Sequence, residues 1–125
     1  MRLCIKRIYD RPEPLDGRRI LVDGLWPRGL SRAAARIDYW ARSIAPSSAL
    51  RQWYGHDPSR WAEFRERYFD ELDLNPEGIA ELCAQLGPET TTLLFGARET
   101  RFNNAAALRE YLDSHRPCAG TGEGA

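Results

Sequence analysis

The sequence predicts an α/β domain, a small and mainly parallel sheet of about three strands with helices packed on both faces. Three observations point there. Residues 90 to 95, TTTLLF, end in an almost continuous apolar run, as a strand covered on both faces requires. Two helical segments stand immediately before it, each opened by a capping side chain followed by proline, at Asp57-Pro58 and Asn75-Pro76. An aliphatic run, Ile20 to Val22, closes on an acid and a glycine, the kind of strand end where α/β proteins place their ligands.

Taken in order, residues 3 to 9, LCIKRIY, are rich in strand formers and read as a first strand. RPEPLDG, with two prolines and a glycine, is a loop. The second strand, 19 to 22, follows so closely that an antiparallel pair is the more natural geometry, because a parallel crossover needs a dozen or more residues. After the WPRG turn, Ser31 can cap a helix through Ala33, Ala34 and Ala35, with Tyr39, Trp40 and Ile44 continuing its apolar pattern up to Pro46. SSALRQWYG is a short helical turn closed by Gly55. The helix that begins at Asp57 carries Trp61, Phe64, Tyr68 and Leu72 on one face, a core stripe. Ile79, Leu82, Cys83 and Leu86 trace a second apolar face, which Gly87 and Pro88 end. A last helix runs from about Asn103 to His115 and buries Ala107, Leu108, Tyr111 and Leu112. Residues 1–115 thus form one domain, and 116–125, PCAGTGEGA after Arg116, hold too little apolar material to pack and are expected to be disordered.

Composition excludes several classes of function. Eighteen basic residues balance eighteen acidic ones, so no global field draws the chain to nucleic acid or to an anionic membrane. Lys6 is the only lysine, and the arginines that supply the remaining positive charge suit bidentate carboxylate or phosphate contacts. No apolar run approaches the length of a membrane span and the N-terminus is too charged for a signal peptide, so a cytoplasmic location is expected. Cys4, Cys83 and Cys118 have neither CxxC spacing nor a neighbouring histidine, which predicts reduced thiols, no zinc site and no cofactor held by them.

Three stretches hold candidate site residues. In DGLWPRG, Pro27 fixes its own φ and extends Trp26, Gly24 and Gly29 let backbone approach a ligand, and Arg28 presents a fork of donors that Asp23 could orient. The same residues would also serve as a purely structural Asp–Arg tie over a packed tryptophan. In RQWYGHDPSR, His56 lies just ahead of a helix start, where an anion is favoured and an imidazole could transfer protons, or it simply sits on the surface beside the Asp57 cap. In FGARETRFNNA, small residues Gly96 and Ala97 are followed by Arg98, and Asn103 and Asn104 open the final helix, but no dinucleotide or P-loop spacing is present.

LVDGLWPRGL, WYGHDPSRWAEFRERYFDEL and TTLLFGARE…NNAAALREYL, in that order, resemble the YeaO-like branch of the family called domain of unknown function 488, over essentially residues 1 to 114. The resemblance implies a small cytoplasmic, bacterial-type protein with a compact α/β sandwich fold, and it brings no activity with it. Asp23, Trp26, Pro27, Arg28, Gly29, His56 and Arg98 match the family pattern. Gly24 stands where family members commonly carry arginine, and Asn104 where they carry histidine. An amide does not titrate, so proton transfer by that histidine would be lost here.

The leading expectation is a crevice at the strand ends for a phosphate- or carboxylate-bearing small molecule. Arg28 and Arg98 would clamp it, Trp26 would wall it, and Gly29 and Asn104 would complete its lining. Two alternatives remain open: an enzyme using Asp23 and His56 for acid–base or hydrolytic chemistry, and a protein or nucleic-acid interaction module, nucleic acid being the less favoured partner at zero net charge. Oligomeric state is not legible.

Overall fold

The computed structural model describes residues 2–118. Four strands, β1 (Arg2–Arg7), β2 (Arg18–Leu21), β3 (Tyr39–Trp40) and β4 (Thr90–Phe95), form one sheet in the order β1-β4-β2-β3, and every pairing is parallel. The helices are α1 (Arg32–Ala35), α2 (Ser48–Tyr54), α3 (Trp61–Asp73), α4 (Pro76–Gln85) and α5 (Asn104–His115).

The sheet divides the apolar side chains by alternation. Ile20 and Val22 from β2 and its end, with Leu93 and Phe95 from β4, face a large core completed by Tyr54, Phe64, Tyr68, Leu72, Leu82 and Leu108. Leu21 and Leu94 face the opposite side, where Ile8, Ala35, Trp26, Leu30, Ile37 and Trp40 cover them. Both faces are therefore buried, which is why β4 lacks a polar alternation. The expected α/β class and the parallel character hold.

Three details differ from the sequence reading. β1 and β2 are not an antiparallel pair, because β4 inserts between them and pairs with both in parallel. A short connection favours antiparallel neighbours only when the two strands are neighbours.

The sheet has a fourth strand, and α1 is correspondingly short. The Arg19 guanidinium donates to the carbonyls of Arg36 (3.0 Å) and Ala35 (2.8 Å), taking the end of α1, while the Arg19 amide donates to Asp38 (2.8 Å). Arg36 adopts a left-handed conformation at that end, and Tyr39–Trp40 then join the edge of β2.

Finally, Cys83 and Cys118 form a disulfide instead of remaining reduced thiols. Arg116 turns the chain left-handed after α5, and the segment that follows brings Cys118 to α4, with Cα atoms 5.3 Å apart. Cys4 is a free thiol. Residues 119–125 of the expected tail lie outside the described residues.

Among the described residues no helix is long and apolar enough to cross a membrane.

Candidate functional site

Because all four strands run the same way, the chain leaves β1, β2 and β4 at one edge of the sheet, and a cavity of about 490 Å³ opens there. Asp23, two residues past β2, stands at its base. Its Oδ2 accepts a hydrogen bond from the Gly96 amide (2.8 Å), tying the end of β2 to the end of β4, and its Oδ1 accepts from Asn104 Nδ2 (3.0 Å). The same amide group donates to the Val22 carbonyl (3.1 Å), so α5 is keyed into the strand end through Asn104. A Cβ at position 96 would stand 3.2 Å from the Asp23 carboxylate, so any side chain there would press on that group. Burial pushes the Asp23 carboxyl above its ordinary range, and the Asn104 and Gly96 donors with the nearby Arg51 charge offset that only in part.

The loop after Asp23 is braced at several points. Trp40 Nε1 donates to the Asp23 carbonyl (2.7 Å) and Trp26 Nε1 to the Leu30 carbonyl (2.6 Å). The two indoles meet edge to face at 5.4 Å, with the Arg32 guanidinium 4.4 Å from the Trp26 ring. Tyr9 Oη donates to the Arg28 carbonyl (2.8 Å), joining the chain after β1 to the same loop. Gly29 turns the loop with φ 76°, accessible to glycine at little strain.

The sequence candidates distribute as follows. Asp23, Trp26, Arg28, His56 and Asn104 all line the cavity, His56 and Arg28 from its exposed rim. His56 is held in a left-handed conformation, φ 58°, directly after left-handed Gly55, an arrangement that a non-glycine residue adopts at a cost in strain. Gly29 shapes the loop from outside the lining, and exposed Arg98 does not line the cavity. Asp23 makes no ion pair with Arg28, so the structural Asp–Arg tie is not formed.

A residue that the sequence reading passed over completes the site. Arg51 on α2 lines the cavity, and its Nη1 lies 3.6 Å from where a Cβ on Gly24 would stand. The available signal was its position three residues before Tyr54, which places both on one side of α2. Tyr54 is buried in the core and its hydroxyl donates to the Phe102 carbonyl (2.8 Å), holding the 96–103 loop over the cavity. Among the described residues, the guanidinium groups of Arg28 and Arg51 take part in no hydrogen bond or ion pair. Tyr9, Trp26, Tyr54 and Phe102 supply aromatic walls. No group of three or more His, Cys, Asp or Glu side chains among the described residues could hold a metal ion.

A model of the family described as the inactive DUF488-N3 subclade matches residues 2–118. The chain belongs to this subclade. It is also 38% identical to the uncharacterized protein YeaO of Escherichia coli over 114 residues, which covers 91% of this chain and 99% of that one. The uncharacterized protein Rv3073c of Mycobacterium tuberculosis is 37% identical over 112 residues, covering 90% and 94%. No solved structure matches the chain significantly. The DUF488 resemblance read from the WPRG and GHDPSRW segments is thereby established, and the relatives carry no assigned activity.

Proposed function

We propose that this DUF488-N3 protein binds a small anionic molecule in the cavity at the strand ends and performs no chemistry on it. The observation that carries this reading is the pair of unpartnered guanidinium groups, Arg51 and Arg28, lining one aromatic-walled cavity. A guanidinium offers several donors in a fixed fork and gains most from a carboxylate or phosphate. The N-terminus of α5, capped by Asn103 and opening on the cavity through Asn104, adds a favourable dipole. Arg51 replaces Arg98 as the partner of Arg28, and Trp26 remains the wall.

Acid–base chemistry by Asp23 and His56 is the second reading, supported by the presence of both groups at one cavity and by the raised Asp23 carboxyl. Asn104 weighs against it. The Asp23 partner at this position is an amide that relays no proton, and the description of the subclade as inactive agrees with a binding role.

The test is a thermal-shift screen of phosphate, phosphate esters, and aliphatic and aromatic carboxylates on the wild type, Arg51→Met and Arg28→Met. A ligand for the site raises the wild-type melting temperature and loses that effect in Arg51→Met. A panel without any stabilising anion, or an equal rise in Arg51→Met, would refute the reading.

A further inference from the structure

Resting on that anion-binding reading, we infer that the ligand is a zwitterion, an α-amino acid with an apolar side chain. Its carboxylate would meet Arg51 and its ammonium Asp23.

Opposite charges line one cavity here without joining. Asp23 and Arg51 feel each other electrostatically yet form no ion pair, and Arg51 Nη1 lies 3.6 Å from where a Cβ on Gly24, the residue next to Asp23, would stand. Two such groups left to themselves in a partly desolvated site gain by closing on each other. Asp23 is prevented from doing so by its bonds to Gly96 and Asn104, one on each carboxylate oxygen. Each oxygen keeps a further lone pair, and Arg51 keeps all its donors. The gap therefore presents an acceptor on one side and a donor fork on the other.

A simple anion would satisfy only half of this arrangement. Bound to Arg51, it would bring a second negative charge near a half-buried carboxylate and draw away the charge that offsets Asp23. An α-amino acid supplies both signs on groups attached to one carbon and leaves the net charge of the cavity unchanged. Size agrees as well. A cavity of about 490 Å³ far exceeds a phosphate or acetate ion, and the rings of Tyr9, Trp26, Tyr54 and Phe102 offer apolar surface to a side chain.

The experiment is isothermal titration of the wild type with L-phenylalanine and L-leucine, each against the analogue lacking the amino group, 3-phenylpropionate and 4-methylpentanoate. Phenethylamine, which lacks the carboxylate, completes the set. At least one amino acid is expected to bind ~10-fold or more tightly than its des-amino analogue, the range of a buried charge-assisted hydrogen bond. Asp23→Asn, which keeps the size and an acceptor oxygen, should erase that ratio while Arg51→Met weakens amino acid and analogue together. Des-amino analogues that bind as tightly as the amino acids overturn the zwitterion and leave the anion site standing. Failure of both amino acids and both analogues, together with an empty anion screen, removes both proposals. Phenethylamine binding as tightly as L-phenylalanine would also overturn the inference, by taking Arg51 out of recognition.

Discussion

Two aspartates of this chain, Asp16 buried and Asp23 half-buried, are shifted in opposite directions by their surroundings. Burial alone would raise the Asp16 carboxyl, but the Glu13 amide, Lys6 ammonium and Arg19 guanidinium all donate to it and hold it below its ordinary value. A depressed carboxyl stabilises the fold above its unfolded value near 3.8, and that contribution is lost as pH falls through the lower folded value. Asp16→Asn, which leaves Arg19 with one buried partner fewer, should therefore destabilise by about 3 kcal/mol at pH 7 in urea unfolding, and by progressively less toward acid. Asp23 behaves inversely. Its raised carboxyl contributes stability that is fully present below 3.8 and is lost as pH rises through the folded value, so ionised Asp23 is a liability to the fold. Relative to wild type, Asp23→Asn should gain stability between acid and neutral pH. An unchanged difference across that range would show that Asp23 is not electrostatically strained. A costly, incompletely offset charge at a cavity is what a binding site retains and a merely structural turn would shed.

At the scale of elements, the starts of α2, α4 and α5 are legible because their signals are local, whereas the Asp57 cap opens a 3-10 turn, Pro58–Arg60, and α3 begins only at Trp61. Asn75 and Asn103 accept from the amides of Gly78 (3.1 Å) and Ala106 (2.9 Å), the bonds that an N-cap asparagine implies, and the stripe Phe64, Tyr68, Leu72 is buried as its spacing requires. What was illegible depended on distant partners. Nothing near Tyr39 announces β3, since Arg19 of β2 ends α1 and fixes the register. Cys83 and Cys118 carry no spacing motif because the approach of the two thiols is tertiary, across 35 residues. Closing a loop of that length restricts the unfolded chain by about 3 to 4 kcal/mol on the chain-entropy account. Reduction with dithiothreitol should lower the melting temperature of the wild type and leave Cys83→Ser unmoved. Equal melting of oxidised and reduced wild type would remove the bond from the stability of the fold.

For the whole molecule, parallel strand direction governs where function can sit. A cavity does open at the strand ends, and Asp23, Trp26, Arg28, His56 and Asn104, from segments up to about eighty residues apart, line it. The pairing of Arg28 with Arg98 was not readable from strand order, because the loop after β4 folds inward through Phe102 and Asn103 while Arg98 stays exposed. The sequence around Arg51 does not mark it, because its helix approaches the sheet edge only through tertiary packing of Leu50 and Tyr54. The central claim, an anion-recognising cavity built on these residues, is tested most directly by two-dimensional amide NMR during titration with 3-phenylpropionate and L-phenylalanine. The account predicts saturable shifts confined to the amides of Asp23, Gly24, Arg51, Gly96 and Asn104 and their neighbours, absent in Arg51→Met. Shifts centred elsewhere on the molecule, or none at millimolar ligand, would contradict it.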